Sequence, residues 1–147
     1  MKRVPKQATS KAAAYFELTK PSITFLILIS TALGYYLGGD GIENNFRFLV
    51  TLIGSCLVSS GAGALNHFAE MDSDWLMDRT KKRPIPTGMI EPDHARLFGV
   101  ALTLAGAGLL YFNVNPLTCV LALITTLLYI FILLSQSNIS FKFSYCK

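Results

Sequence analysis

Asn66, Glu70, Asp74 and Asp78 recur at intervals of four residues. On a helix this spacing sets all four on one slowly drifting face, with Asp72 to one side. Carboxylates four apart repel by roughly 0.2–0.5 kcal/mol per pair, and near a helix C-terminus the macrodipole disfavours them further. A cation reverses that sign. The ligands are all oxygens, which suits a hard divalent ion, and magnesium in particular binds through one or two carboxylates together with the phosphates of a substrate. Arg79, Lys81, Lys82 and Arg83 follow at once, so residues 66–88 hold four of the chain's nine acidic residues beside four basic ones. Metal-holding carboxylates next to guanidinium forks make a cradle for a diphosphate carried as its magnesium complex. A solvated loop of mixed charge has the same composition, and at this level both readings stay open.

Long uncharged stretches must position these groups. Of the 147 residues 52% are hydrophobic and mean hydropathy is +0.45, above what a soluble domain carries. Charged side chains are missing from residues 21–39, 48–69 and 97–141. Each gap can hold at least one spanning helix of ~20 residues. Pro21 suits a first helical turn, where its missing N–H costs nothing, and the first span runs to Gly38 and Gly39. The second begins near Phe48 and flows into the acidic stripe. Glu91, Pro92 and Asp93 read as a helix restart, the third span covers residues 97–112, and the fourth follows an Asn-Pro turn over 117–134. The chain therefore divides into a leader (1–20), four transmembrane helices (21–134) carrying an Asp-rich loop at 66–96, and a tail (135–147).

The leader carries Lys2, Arg3, Lys6, Lys11 and Lys20 against Glu17 alone, whereas the first loop, near Asp40, Glu43 and Arg47, is almost neutral. Positive charge marks the cytoplasmic side, which puts both termini and the Asp-rich loop there. Small residues crowd the second span (Gly54, Ser55, Ser59, Ser60, Gly61, Ala62, Gly63, Ala64) and the third (Gly99, Ala105, Gly106, Ala107, Gly108), so helix backbones can approach closely in lipid. Asn66 is then expected to face protein and not lipid. The three cysteines are dispersed and read as apolar fillers, and His67 and His94 as isolated polar residues. No phosphate-binding glycine motif is present, and the net charge of +4 is accounted for by the flanks, giving no reason to invoke nucleic acid.

The run N-x3-E-x-D-x-D-x3-D-R-T-x2-R-P, from Asn66 through Pro84, resembles the first Asp-rich motif of the intramembrane UbiA prenyltransferase superfamily. The Asp72-x-Asp74 step, the Arg79-Thr80 and Arg83-Pro84 pairs, and Leu18-Thr19-Lys20-Pro21 ahead of the first span point to the branch that farnesylates haem. Glu70 stands where the family usually has Asp, and His67 where related members have Asn or Asp.

The resemblance implies an all-α, polytopic, UbiA-like transmembrane bundle, of which this chain carries four of an expected nine helices. It implies transfer of a farnesyl group from farnesyl diphosphate to a vinyl group of haem b, giving haem O, in a lipid bilayer (the inner membrane of a bacterium). Asn66, Glu70 and Asp74 are the expected catalytic and Mg2+ ligands, joined at the metal by Asp78. Arg79, Arg83 and Lys20 are expected to bind the diphosphate. A related prenyltransferase acting on a quinone or chlorophyll precursor, and a non-catalytic membrane protein that binds divalent cations, are the alternatives. In the haem-farnesylating branch the fourth span leads into a Tyr-Thr-Pro-Leu-Lys-like segment. Here residues 135–147 read as an aberrant tail of the kind a frameshift or truncation leaves. The resemblance puts a second Asp-rich motif beyond residue 147, so the chain is expected to be inactive by itself.

Overall fold

A computed structural model describes residues 10–38, 45–71, 85 and 87–145, with side chains through 132 and at 135. The segment read as a leader ends in a helix. The Ser10 hydroxyl accepts the Ala13 N–H at 3.3 Å and caps α1, Lys11–Leu18. Ala14 and Leu18 are fully buried in a cluster with Ala64, Ile85, Ile90 and Ala95, and Tyr15 meets Phe98 edge-on at 5.0 Å. This apolar face ties α1 to the helices below, although the short segment has little helical stability of its own.

Between α1 and α2 (Pro21–Leu37) the chain turns sharply. Pro21 is the first residue of α2, and its ring disfavours the right-handed helical region for the residue before it. Lys20 adopts the left-handed region instead, at φ 47° and ψ 65°, and the two helices meet at 48°. Its carbonyl still accepts from the N–H groups of Ile23 and Thr24. The elbow is pressed against α3 (Asn45–Ala69). A Cβ on Gly63 would come within 3.0 Å of the Leu18 carbonyl oxygen and 3.2 Å of the Thr19 carbonyl.

Helix α4, Pro92–Asn113, starts as the sequence suggests: Glu91 is the cap residue, Pro92 opens the first turn and Asp93 supplies an acid there. It packs against α3 more extensively than any other pair of helices. Two glycines on each helix, seven residues apart, make this possible. Gly61 faces Gly99 and Gly54 faces Gly106, close enough that a Cβ on Gly99 would lie 3.0 Å from the Gly61 carbonyl oxygen. Thr103 sits beside this contact with its hydroxyl donating to the Gly99 carbonyl at 2.9 Å, so no polar hydrogen is stranded in the interface.

Helix α5, Pro116–Tyr145, is started by the Asn115 side chain, which accepts the Leu117 N–H at 3.0 Å. No glycine or proline interrupts it after Pro116, so helical backbone continues to Tyr145, within the segment read as a tail. By length and composition α3 and α4 can each cross a membrane, the bent α1–α2 pair can serve as one further span, and α5 contributes the apolar stretch Pro116–Ile132. Every element among the described residues is helical. Exposed Phe25, Leu26, Leu33, Leu127, Leu128 and Phe131 give α2 and α5 apolar outer faces.

Candidate functional site

Helix α3 brings the start of the acidic stripe to the end of the bundle where the α1–α2 elbow lies. Asn66 is completely buried and His67 is 4% exposed, as a small-residue helix enclosed by neighbours requires. The helix ends at Ala69, but the Glu70 N–H still donates to the Asn66 carbonyl at 2.9 Å, so Glu70 keeps its place one turn beyond Asn66. Their side chains touch, with Asn66 Nδ2 donating to Glu70 Oε2 at 3.3 Å. The other end of the amide is different. Among the described residues, Asn66 Oδ1 is buried without a hydrogen-bond donor. An orphaned carbonyl oxygen in an apolar interior costs about 1–3 kcal/mol, and a cation or an added donor would remove that cost. The observation fits an oxygen-ligated metal, with Asn66 Oδ1 and a Glu70 oxygen as its first two ligands.

Asp72, Asp74, Asp78, Arg79, Lys81, Lys82 and Arg83 lie outside the described residues. Among the described residues no three His, Cys, Asp or Glu side chains converge. His94 is well away from such a role, since it is exposed at the start of α4 and pairs with Glu91 at 3.6 Å.

One turn before Asn66, the same face of α3 forms the wall of a cavity of about 340 Å³ between α2, α3 and α5. The α1–α2 elbow lines it with Thr19 and Lys20, α2 with Ile23, Thr24, Ile27 and Thr31, α3 with Ser55, Val58, Ser59, Ala62 and Gly63, and α5 with Ala122, Thr125, Thr126 and Tyr129. From Lys20 to Thr31 the wall runs about 16 Å at 1.5 Å per residue. Most of its hydroxyls spend their hydrogens locally. Thr31 donates to the Ile27 carbonyl at 2.8 Å, Thr125 to Leu121 at 2.8 Å and Thr126 to Ala122 at 2.9 Å, leaving methyl groups toward the space. Thr24 donates to the Thr19 carbonyl at 3.0 Å and meets Ser59 Oγ at 3.3 Å, pinning the elbow to α3.

The result is a long, mostly apolar slot with Lys20 at one end. Lys20 lines it on its left-handed backbone, and Tyr129 lines it from α5. Of the residues singled out in the sequence, the structure brings Asn66, Glu70 and Lys20 to the same end of the bundle. It adds Thr24, Ser59 and Tyr129, which sequence reasoning missed. The stripe Ala122, Thr126, Tyr129 is an i, i+4, i+7 pattern that could have marked the inner face of α5, but in a helix of nearly uniform hydrophobicity it carries little contrast.

Comparison with known proteins decides the family. Residues 27–132 match the model of the UbiA prenyltransferase family. The chain belongs to that family. UbiA family members most similar to it include protoheme IX farnesyltransferases of Leptospira biflexa, 41% identical over 116 residues, and Solibacter usitatus, 41% identical over 127 residues. A third, from Streptomyces coelicolor, is 39% identical over 121 residues. These alignments cover 79%, 80% and 82% of this chain but 41%, 44% and 38% of the relatives, so the chain spans about two fifths of the length of the curated proteins it matches. No solved structure matches it significantly. Membership of this membrane family, together with spans of sufficient length, makes the chain an integral membrane protein.

Proposed function

We propose that this chain carries one metal–diphosphate half-site, and the prenyl slot beside it, of an enzyme that transfers a farnesyl group from farnesyl diphosphate to a vinyl group of haem b. The observation that carries the reading is the buried Asn66 Oδ1, without a donor among the described residues, beside Glu70 and one helical turn from an apolar slot. The names of the relatives supply the substrates. Asn66, Glu70 and Asp74, with Asp78, hold a divalent cation, Mg2+ by the hardness of the donor set, and Arg79, Arg83 and Lys20 bind the diphosphate. When bound, the cation neutralises charge on the departing diphosphate.

The residues then share the work. The slot walls take up the isoprenoid tail and keep water from its first carbon. Lys20 and the arginines receive the negative charge that develops as the C1–O bond breaks, a task for which preorganised donors are most effective. The allylic cation is captured by the haem vinyl group, and water adds to the resulting cation and loses a proton. Farnesyl diphosphate, haem b and water thus give haem O and diphosphate. On this reading the N-terminus and Asp-rich loop are cytoplasmic, in the inner membrane if the source is bacterial.

The test is retention of radiolabelled farnesyl diphosphate by the purified chain in lipid nanodiscs. Retention is expected with Mg2+ and lost with a chelator or on Glu70→Ala. Equal retention in all three conditions would leave the slot a lipid-binding groove and the reading wrong.

A further inference from the structure

Three contacts fix how α2 and α3 run past each other. A Cβ on Gly63 would lie 3.2 Å from the Thr19 carbonyl oxygen, Thr24 Oγ1 meets Ser59 Oγ at 3.3 Å, and the rings of Tyr35 and Phe48 meet edge-on with centroids 5.2 Å apart. From the second contact to the third, eleven steps forward on α2 are matched by eleven back on α3, so the helices are antiparallel and hold one register. The slot follows this seam. Its wall includes Thr24, Ile27 and Thr31 on α2, with Ser59 and Ser55 on α3. One more turn along α2 that stripe reaches Tyr35, and two turns back from Ser55 the α3 stripe reaches Phe48.

The aromatic pair therefore joins the two helices just beyond the far end of the slot. Both rings are half-buried, whereas nearby Tyr36 and Phe46 are 57% and 67% exposed and face outward. An edge-to-face pair yields less readily than aliphatic side chains, because swinging either ring aside gives up its contact with the other.

The position of the pair can be set against the length of a tail. From Thr24, one turn in from Lys20, to Tyr35, α2 advances about 16 Å at 1.5 Å per residue. An extended carbon chain gains about 3.8 Å per three bonds, so three isoprene units span about 14 Å and a fourth brings the total to about 19 Å. Three units stop short of the rings, and a fourth meets them.

We propose that Tyr35 and Phe48 form the floor of the slot and set the length of its occupant, admitting a three-unit farnesyl tail and rejecting a four-unit one. The assignment rests on the function proposed above, which anchors the diphosphate at the elbow end. It gives both residues a part in specificity and none in the chemistry, since they stand at the opposite end of the slot from the elbow.

The experiment titrates farnesyl and geranylgeranyl diphosphate, in Mg2+, against the chain in nanodiscs, unsubstituted and as Tyr35→Ala, Phe48→Leu and Tyr36→Ala. The unsubstituted chain is expected to bind farnesyl diphosphate at least about tenfold more tightly, since even one surplus methylene in a closed apolar pocket discriminates by about that factor. Tyr35→Ala should abolish most of this preference by strengthening geranylgeranyl diphosphate while farnesyl diphosphate is unchanged. Phe48→Leu, the milder change should Tyr35→Ala fail to fold, should reduce it in the same way, and Tyr36→Ala should leave it intact. Equal affinity of the unsubstituted chain for both ligands would overturn the assignment, the tail then leaving the slot sideways into lipid. A preference that survives in the aromatic variants would overturn it as well. A chain that binds neither diphosphate would instead refute the diphosphate reading, and the floor with it.

Discussion

Replacing Gly61 by alanine tests whether the α3–α4 contact is what holds the site-bearing helix in place. The new Cβ would lie 2.6 Å from the Gly99 carbonyl oxygen and 2.8 Å from the Thr103 backbone nitrogen, with the Thr103 hydroxyl closer still. Two of these neighbours are backbone, so relief requires the helices to separate. Overpacking of this kind costs typically about 1–3 kcal/mol. Alanine's better helix propensity returns about 0.5–1 kcal/mol, leaving a net loss of roughly 1–2 kcal/mol. Gly108 supplies the control. It lies on the same helix as Gly99, yet a Cβ there would meet nothing within 4 Å. Gly108→Ala should therefore be neutral or stabilise by up to about 1 kcal/mol. Reversible denaturation in mixed micelles, followed by circular dichroism, should separate the two variants by about 2 kcal/mol. Equal stability would refute the close-packed pairing of Gly61 with Gly99 and, with it, the account of how Asn66 comes to be buried.

Ser55→Phe places a ring in the far part of the slot and should weaken farnesyl diphosphate at least about tenfold while leaving inorganic diphosphate binding unchanged; equal weakening of both would show that the tail does not lie there. Asp74→Ala should abolish magnesium-dependent retention of farnesyl diphosphate and Asp78→Ala should reduce it less, because the latter stands a full turn further along the stripe; the reverse order in the same binding assay would move the metal toward Asp78. A reporter fused at Arg83 should behave as cytoplasmic, since four basic residues cluster there; extracytoplasmic activity would invert the topology.

Helix positions were legible because lipid imposes a coarse rule: uncharged stretches of sufficient length, opened by Pro21 and Pro92, mark where helices run. The small residues of α3 and α4 announced close packing, though not which glycine meets which, since that depends on an antiparallel register no local signal specifies. Helix α1 was hidden by its surroundings. Among five basic residues of the leader, the cap at Ser10 and the buried Ala14 and Leu18 form a pattern of few residues. The elbow was half legible: Lys-Pro disfavours the ordinary helical conformation at Lys20, but the close approach of Leu18 and Thr19 to Gly63 joins segments far apart in the chain.

At the site, the spacing of Asn66 and Glu70 carried its meaning directly, because neighbours on a helix are neighbours in space. Tyr129 carried none, because its place in the cavity wall comes from the packing of α5 against α3 and α4. Asp72, Asp74, Asp78, Arg79 and Arg83 fall outside the described residues, so their parts in the site rest on the motif.

The central claim is that Asn66 and Glu70 open a metal site that holds a diphosphate. It is tested most directly with Mn2+ in place of Mg2+, by electron–nuclear double resonance on the chain with farnesyl diphosphate. The account predicts phosphorus hyperfine coupling from manganese bound to the protein, and loss of that protein-bound species in Glu70→Ala. A spectrum identical to that of the manganese–farnesyl diphosphate complex in solution, unaltered by the substitution, would contradict it.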